Sequence, residues 1–266
     1  MKRSFATFAR IPLTAAFTAL FTMAGTALAV EPAPGNVVEN DFATLTLVAE
    51  PPAAHGIVRG ALKIDLKPGW KTYWLDPGPS GIPPQIDFSR TEGIGKAAVL
   101  APLPQRFGED LARANGYKHD LALPFLLTPG EGETIDGAII ADVFLGVCEA
   151  ICVPVQAELS VSPDGAAAVE TAFDGLPQTL DASDVTASID GDALELGLRT
   201  NASVSDAFVL GPEGWYFGEA EVSARDDEQT TFRIPIDERP KDAANPVLMA
   251  VFDDGDRGLT TVIQPE

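Results

Sequence analysis

Two residues hold most of the chemistry this chain can offer: Cys148 and Cys152, its only cysteines. Glu149-Ala150-Ile151 separate them, and β-rich runs flank them on both sides. A pair this close invites thiol–disulfide chemistry, but only some backbone paths allow it to bond. Residues four apart on one extended strand lie about 13 Å apart at about 3.3 Å per residue. A disulfide needs its Cα atoms within about 7 Å. A bonded pair therefore requires the chain to reverse or coil over residues 149–151, as a hairpin or a short helical turn at one end of a sheet. Closing so short a loop contributes only about 2 kcal/mol in the chain-entropy model, and structural staples usually tie distant strands. On spacing alone, a staple and a disulfide that is made and broken both remain open.

The elements that must position this pair can be read from periodicity. Downstream, Val153, Val155, Ala157, Leu159 and Val161 share one face, while Pro154, Gln156, Glu158 and Ser160 share the other, the period-two pattern of a half-buried strand. Cys152 has the parity of the polar face. The upstream run, residues 138–147, is apolar on both faces, and there Cys148 has the parity of Asp142. Both sulfurs are expected to point away from the core.

The same reading applies to the rest of the chain. Residues 42–49 and 58–66 alternate, and Pro68-Gly69 makes a turn into the aromatic run Trp70-Lys71-Thr72-Tyr73-Trp74. Residues 76–84, rich in proline and glycine, read as a rigid loop. Further strands are expected within 82–88, 96–101, 121–127 and 135–145, with residues 102–108 forming another loop that exposes Phe107. Residues 162–184 lose the strand pattern and read as a linker with one helical turn. Short strand-like runs then resume to the C-terminus. The expected fold is all-β: an immunoglobulin-like antiparallel β-sandwich over residues 42–162, preceded by a lead-in (30–41), and a second, smaller β-sandwich over 185–266.

Composition limits the partners. The net charge of −21 argues against nucleic acid or an anionic membrane surface. Lys2, Arg3 and Arg10, an apolar small-residue stretch, and Ala27-Leu28-Ala29 form a secretory signal with a cleavage site. Residues 1–29 are thus expected to be removed on export to the periplasm, a compartment permissive for disulfides. No later segment is apolar and long enough to span a bilayer. His55 and His119 are too dispersed for a metal site, and with no phosphate loop or nucleophile elbow, no cofactor or metal is expected. Cu(I) handling by the two thiolates finds little support, because Met249 is the only methionine outside the signal region.

Several segments, in the same order, resemble the N-terminal periplasmic region of DsbD-type thiol:disulfide interchange proteins, in the suppressor-of-copper-sensitivity (Scs) branch. They are Pro68-Gly69-Trp70-Lys71-Thr72-Tyr73-Trp74 with Gly81-Ile82-Pro83-Pro84; Pro102-Leu103-Pro104-Gln105-Arg106-Phe107; Gly116-Tyr117 with Leu123-Pro124; and Gly146-Val147-Cys148-Glu149-Ala150-Ile151-Cys152-Val153-Pro154. The resemblance covers residues 42–161, and the second domain matches more loosely.

It implies a redox-active Cys148/Cys152 pair, reduced by a membrane-embedded DsbD/CcdA-like reductase and in turn reducing periplasmic thiol proteins. The chain would then be a protein-disulfide reductase component. Phe107 would be the shielding cap aromatic, with Tyr73 its aromatic neighbour on a facing strand. Gln105 and Arg106 stand where the enteric form has acidic residues, so a proton-handling role for those acids does not transfer. The sequence ends at Glu266 without the family's transmembrane and thioredoxin-like parts, and the expectation is a stand-alone soluble module.

Within the motif no Lys, Arg or His lowers a thiol pKa, and Glu149 disfavours a thiolate. Arg106 would compensate if the cap lay over the pair. Strand parity favours Cys152 as the attacking thiol. The competing expectation is a non-catalytic binding or adaptor module with a structural disulfide.

Overall fold

Alternation in residues 43–49 puts Ala43, Leu45, Leu47 and Ala49 on one side of a strand, and in the computed structural model all four are fully buried. The structure describes residues 34–108, 113–161, 166–241 and 245–265. The expected signal segment and residues 162–165 of the expected linker lie outside them.

The first eleven strands are β1 (Val37–Glu39), β2 (Ala43–Ala49), β3 (Val58–Leu66), β4 (Lys71–Tyr73), β5 (Gln85–Asp87), β6 (Ile94–Val99), β7 (Gln105–Phe107), β8 (Ala114–Tyr117), β9 (Leu121–Pro129), β10 (Ile139–Cys148) and β11 (Cys152–Val161). They form two antiparallel sheets, one ordered β1-β2-β3-β9-β6 and the other β11-β10-β4-β8-β7, with β5 also pairing with β10. The inward sides of β2, β3, β9 and β10 supply Leu45, Leu47, Leu62, Ile64, Leu123, Phe125, Leu127, Val143 and Leu145 to a single core. Each such side chain contributes about 1.5–3 kcal/mol on full burial. This is the immunoglobulin-like sandwich.

The turn before β4 is closed by the Trp70 N–H donating to the Lys67 carbonyl at 3.1 Å, with Gly69 at φ +87°. Pro68 fixes one central position of that turn and glycine accepts the other. The turn aims the three residues of β4 into the middle of the second sheet.

Residues 166–184 hold more structure than the expected linker. The alanine run forms a helix, α1 (Ala166–Asp174), as its propensity favours. The helix packs on β2, β3 and β9 with Val169 fully buried, and the Arg59 guanidinium lies 4.2 Å from the centre of the Phe173 ring.

The remaining strands are β12 (Gln178–Thr179), β13 (Val185–Asp190), β14 (Ala193–Arg199), β15 (Asp206–Leu210), β16 (Tyr216–Phe217), β17 (Glu221–Arg225), β18 (Gln229–Glu238), β19 (Leu248–Asp253) and β20 (Leu259–Ile263). They make the second sandwich, with sheets β12-β20-β19-β15 and β13-β14-β18-β16, β17 also pairing with β18. Its own core gathers Leu194, Leu196, Phe232, Ile234, Ala250 and Phe252.

Strands β15 and β19 are apolar on both sides. Ala207 and Val209 face the second core, while Phe208 and Val251, with Leu210 and Met249 beside them, pack into the first core. A sheet buried on both faces reads as a continuous apolar run rather than an alternating one. The described residues accordingly form one compact unit. Among them, no helix is long and apolar enough to cross a membrane.

Candidate functional site

The chain reverses over Glu149-Ala150-Ile151, and β10 and β11 pair in register from Ile139↔Val161 to Cys148↔Cys152, the last rung of the hairpin. The two cysteines are disulfide-bonded with their Cα atoms 4.1 Å apart. Directly opposed residues of a non-hydrogen-bonded antiparallel pair stand about 4.5 Å apart, so the hairpin itself brings the sulfurs within bonding reach.

The two sulfurs occupy different surroundings. Cys152 is exposed, at the edge of the sheet, and Ile151 beside it is 76% exposed. Cys148 is 1% exposed. Its parity does place it outside the main core, as expected, but not in solvent: Tyr73, Phe107, Ala114 and Ile82 pack around it as a small separate apolar cluster. The expectation that both sulfurs point away from the core holds, and for Cys148 this does not mean exposure. A strand face that points away from one core can be closed by another element, and here β7 and β8 close it.

Phe107 is likewise not the exposed loop aromatic expected from its proline-flanked setting. It ends the short strand β7, is 6% exposed, and its ring centre lies 6.2 Å from that of Tyr73. Tyr73 is on β4, which pairs directly with β10 through Val147↔Thr72 and Cys148↔Lys71. It therefore sits on the adjacent strand of the same sheet rather than on a facing one. Its hydroxyl lies 2.8 Å from Cys148 Sγ and 3.0 Å from Cys152 Sγ. Disulfide sulfurs carry no hydrogen, so the phenol is the donor. Burial raises the Tyr73 pKa above its usual value, which keeps that proton in place.

Two glycines make room for the Tyr73 ring. A Cβ on Gly146 would come within 2.7 Å of Ile82 Cβ and 3.1 Å of Tyr73 Cδ2, and one on Gly81 within 2.7 Å of Tyr73 Cδ1. On the opposite side of β4, the Thr72 hydroxyl donates to the Gly146 carbonyl at 2.8 Å and fastens β4 to β10.

Arg106 does not reach the sulfurs. Neighbours along a strand point to opposite faces, so with Phe107 turned toward the disulfide, Arg106 turns away and pairs with Asp206 of the second sandwich at 2.7 Å. The conditional expectation that Arg106 compensates for Glu149 is corrected on this ground. Glu149 is exposed in the hairpin loop, its carboxylate against Gly69.

The cations near the Phe107 cap are ones that sequence reading missed. Lys71 Nζ lies 4.8 Å and Lys118 Nζ 5.5 Å from the centre of the Phe107 ring. Lys71 is the direct cross-strand partner of Cys148. The available signal was parity: Lys71 shares its strand face with Tyr73. Among the described residues no group of His, Cys, Asp and Glu could hold a metal ion.

This hairpin, its cap and the paired sheet lie within residues 44–163, which match the model of the family described as "Thiol:disulfide interchange protein DsbD, N-terminal". The first sandwich is thus similar to the DsbD N-terminal family. The crystal structure of the N-terminal periplasmic domain of ScsB from Proteus mirabilis has the same fold as this chain, with a TM-score of 0.66 at 22% identity, over 86% of this chain and 98% of that one. That likeness therefore extends beyond the first sandwich into the second. A conserved domain protein from Bacillus anthracis aligns over 88% of this chain and 89% of its own at 7% identity, with a TM-score of 0.24 that carries no argument. No curated protein sequence matches the chain.

Proposed function

We propose that the first sandwich of this chain is a periplasmic thiol–disulfide exchange module. It passes electrons from a membrane-embedded DsbD/CcdA-like reductase to periplasmic thiol proteins through Cys148 and Cys152. The observation that carries this reading is the asymmetry of the disulfide: one sulfur at the surface, the other beneath an aromatic cap and both touched by a single phenol. A staple has no need of that arrangement. An exchange site does, because one sulfur must be attacked and the other must leave.

The steps follow from the geometry. A partner thiolate attacks Cys152 Sγ along the S–S axis, the bond to Cys148 breaks, and a mixed disulfide forms between the partner and Cys152. Cys148 leaves with the electron pair as a thiolate and accepts the Tyr73 O–H hydrogen bond. Hydrogen bonding to the charged form favours that thiolate, as does the positive charge of Lys71, the cross-strand partner of Cys148. The partner's second thiolate then attacks its own sulfur in the mixed disulfide and expels Cys152. Two electrons have moved from the partner dithiol to the pair, and the partner carries the disulfide. Delivery to a client runs the same exchange in reverse, with Cys152 attacking the client disulfide and Cys148 resolving it.

Periplasmic placement is supported by the signal-like residues 1–29, and the ScsB domain of the same fold is itself periplasmic by name. The second sandwich, residues 185–266, serves as the support of the first.

The test is the reduction potential of the pair, by equilibration with dithiol buffers, together with trapping in Cys148→Ser and Cys152→Ser variants. An exchange module gives a potential well above about −300 mV, and the Cys148→Ser variant accumulates mixed disulfides through Cys152. A bond below about −300 mV that traps nothing leaves the adaptor reading with a structural disulfide.

A further inference from the structure

The cap strand β7 is short, and within its sheet it pairs only with β8. Three residues bonded along one edge are a weak hold for the aromatic that covers Cys148, yet Phe107 is well buried. What holds the strand from its other face is Arg106. Its Nε and Nη2 donate to the two carboxylate oxygens of Asp206 at 2.7 and 3.1 Å, and Nη2 also donates to the Ala207 carbonyl at 2.7 Å. Nη1 donates to Asn115 Oδ1 at 3.1 Å. The guanidinium lies 4.4 Å from the centre of the Phe208 ring, and that ring meets Trp74 edge-on at 5.8 Å. The Arg106 and Asp206 side chains are only 15% and 23% exposed. A forked, stacked, partly buried ion pair of this kind uses the geometry that distinguishes arginine from lysine.

Both ends of this contact are fixed. Asp206 and Phe208 lie on β15, the strand buried on both faces, so the carboxylate stands on a rigid support. Asn115, opposite Arg106 on β8, donates from its side chain to the Asp76 carbonyl, and its backbone bonds to Trp74 and Pro77. Trp74 follows Tyr73 directly in the chain, so the same cluster also anchors the end of the strand bearing the phenol.

We infer that the second sandwich sets the position of the redox cap: Asp206 and Arg106 are positioning residues that hold β7, and with it Phe107, over Cys148. This rests on the exchange reading above for its purpose, but the cap's position is measurable without it. Breaking the fork frees β7 to lift, which uncovers Cys148 while leaving Cys152 as open as before.

The experiment alkylates the fully reduced, full-length protein with iodoacetamide and follows the two cysteines separately by peptide mass, reporting the ratio of the Cys148 rate to the Cys152 rate. In the wild type Cys148 reacts far more slowly. Losing a hydrogen bond to a charged group shifts an equilibrium by about ten-fold or more, so Asp206→Asn and Arg106→Ala are expected to raise the ratio about ten-fold. Arg106→Lys, which keeps the charge but not the fork, falls between. Glu195→Gln, which removes an ion pair to Arg233 inside the second sandwich, leaves the ratio unchanged.

A wild-type ratio in folded Asp206→Asn and Arg106→Ala proteins would overturn the inference. Should either fail to fold, Arg106→Lys carries the same test. A pair that proves irreducible by mild dithiols sinks the exchange reading alone, since a strong reductant still allows the ratio to be read.

Discussion

At the scale of single residues, the Tyr73 hydroxyl is the group best placed to distinguish the two redox states. It donates to the disulfide here and, in the reduced state of the proposed exchange, to a thiolate; hydrogen bonds to charged acceptors are worth about 1.5–3 kcal/mol against about 1 kcal/mol for neutral ones. Tyr73→Phe keeps the ring between Gly81 and Gly146 and removes only the donor. Losing a donor to the charged form is expected to raise the pKa of the Cys148 thiol in the reduced protein, read from thiolate absorbance against pH, with near-wild-type unfolding. An unchanged titration would remove Tyr73 from the exchange chemistry. The cysteine pair, Phe107 and Tyr73 were all legible as candidates because their types and order in the chain carry the resemblance. Their enclosure was not. Whether an aromatic flanked by prolines lies open or closed depends on a strand pairing, β7 with β8, that no local pattern encodes. Lys118 was missed for the same reason, whereas Lys71 was within reach of the parity it shares with Tyr73.

At the scale of elements, the hairpin is the part the sequence specified most fully. Strict alternation on β11 fixed its faces, and the distance a disulfide tolerates fixed the reversal over residues 149–151. β10 was harder to read, because it lies in the middle of its sheet and carries apolar residues on both sides. The tight passage of β10 behind the Tyr73 ring yields a second prediction. Gly146→Ala places a methyl against Ile82 and the Tyr73 ring, and such overpacking typically costs about 1–3 kcal/mol. The urea midpoint is expected to fall by a matching amount, and Cys148 in the reduced variant to alkylate faster as the cap is pushed outward. Gly137→Ala, where nothing stands within 4 Å of the new methyl, is the control and should unfold like the wild type. Equal midpoints for the two variants would show that the ring has room to move.

At the scale of the whole molecule, the two sandwiches share one apolar interior through β15 and β19, and Asp76 lies near their junction. Burial raises its carboxyl pKa, against a bond from the Gly78 N–H and the attraction of Arg106, with Asp237 of the second sandwich raising it further. A carboxyl whose pKa is raised on folding stabilises the fold below its unfolded value, about 3.9, and loses that contribution as pH climbs through the folded value. Asp76→Asn is therefore expected to melt at a higher temperature than the wild type at neutral pH, the gap closing below about pH 4. A gap of constant size across that range would locate the effect elsewhere. The union of the sandwiches was only half visible in the sequence: residues 207–210 and 247–252 break the alternation of their neighbours, but a continuous apolar run does not say which surface it covers. The strand order has one more consequence. β11 ends its sheet, so the backbone groups beside Cys152 face outward as a template for another chain's strand, the route to aggregation that edge strands offer. Pro154 sits with the outward parity of Ser160, whose N–H reaches the Gly35 carbonyl, and so withholds a donor from that edge, while Glu158 adds charge. Under the proposed exchange, the sulfur that meets partner proteins thus stands on an edge that discourages strand addition, which leaves a partner to dock through side chains and to leave once its disulfide has been exchanged.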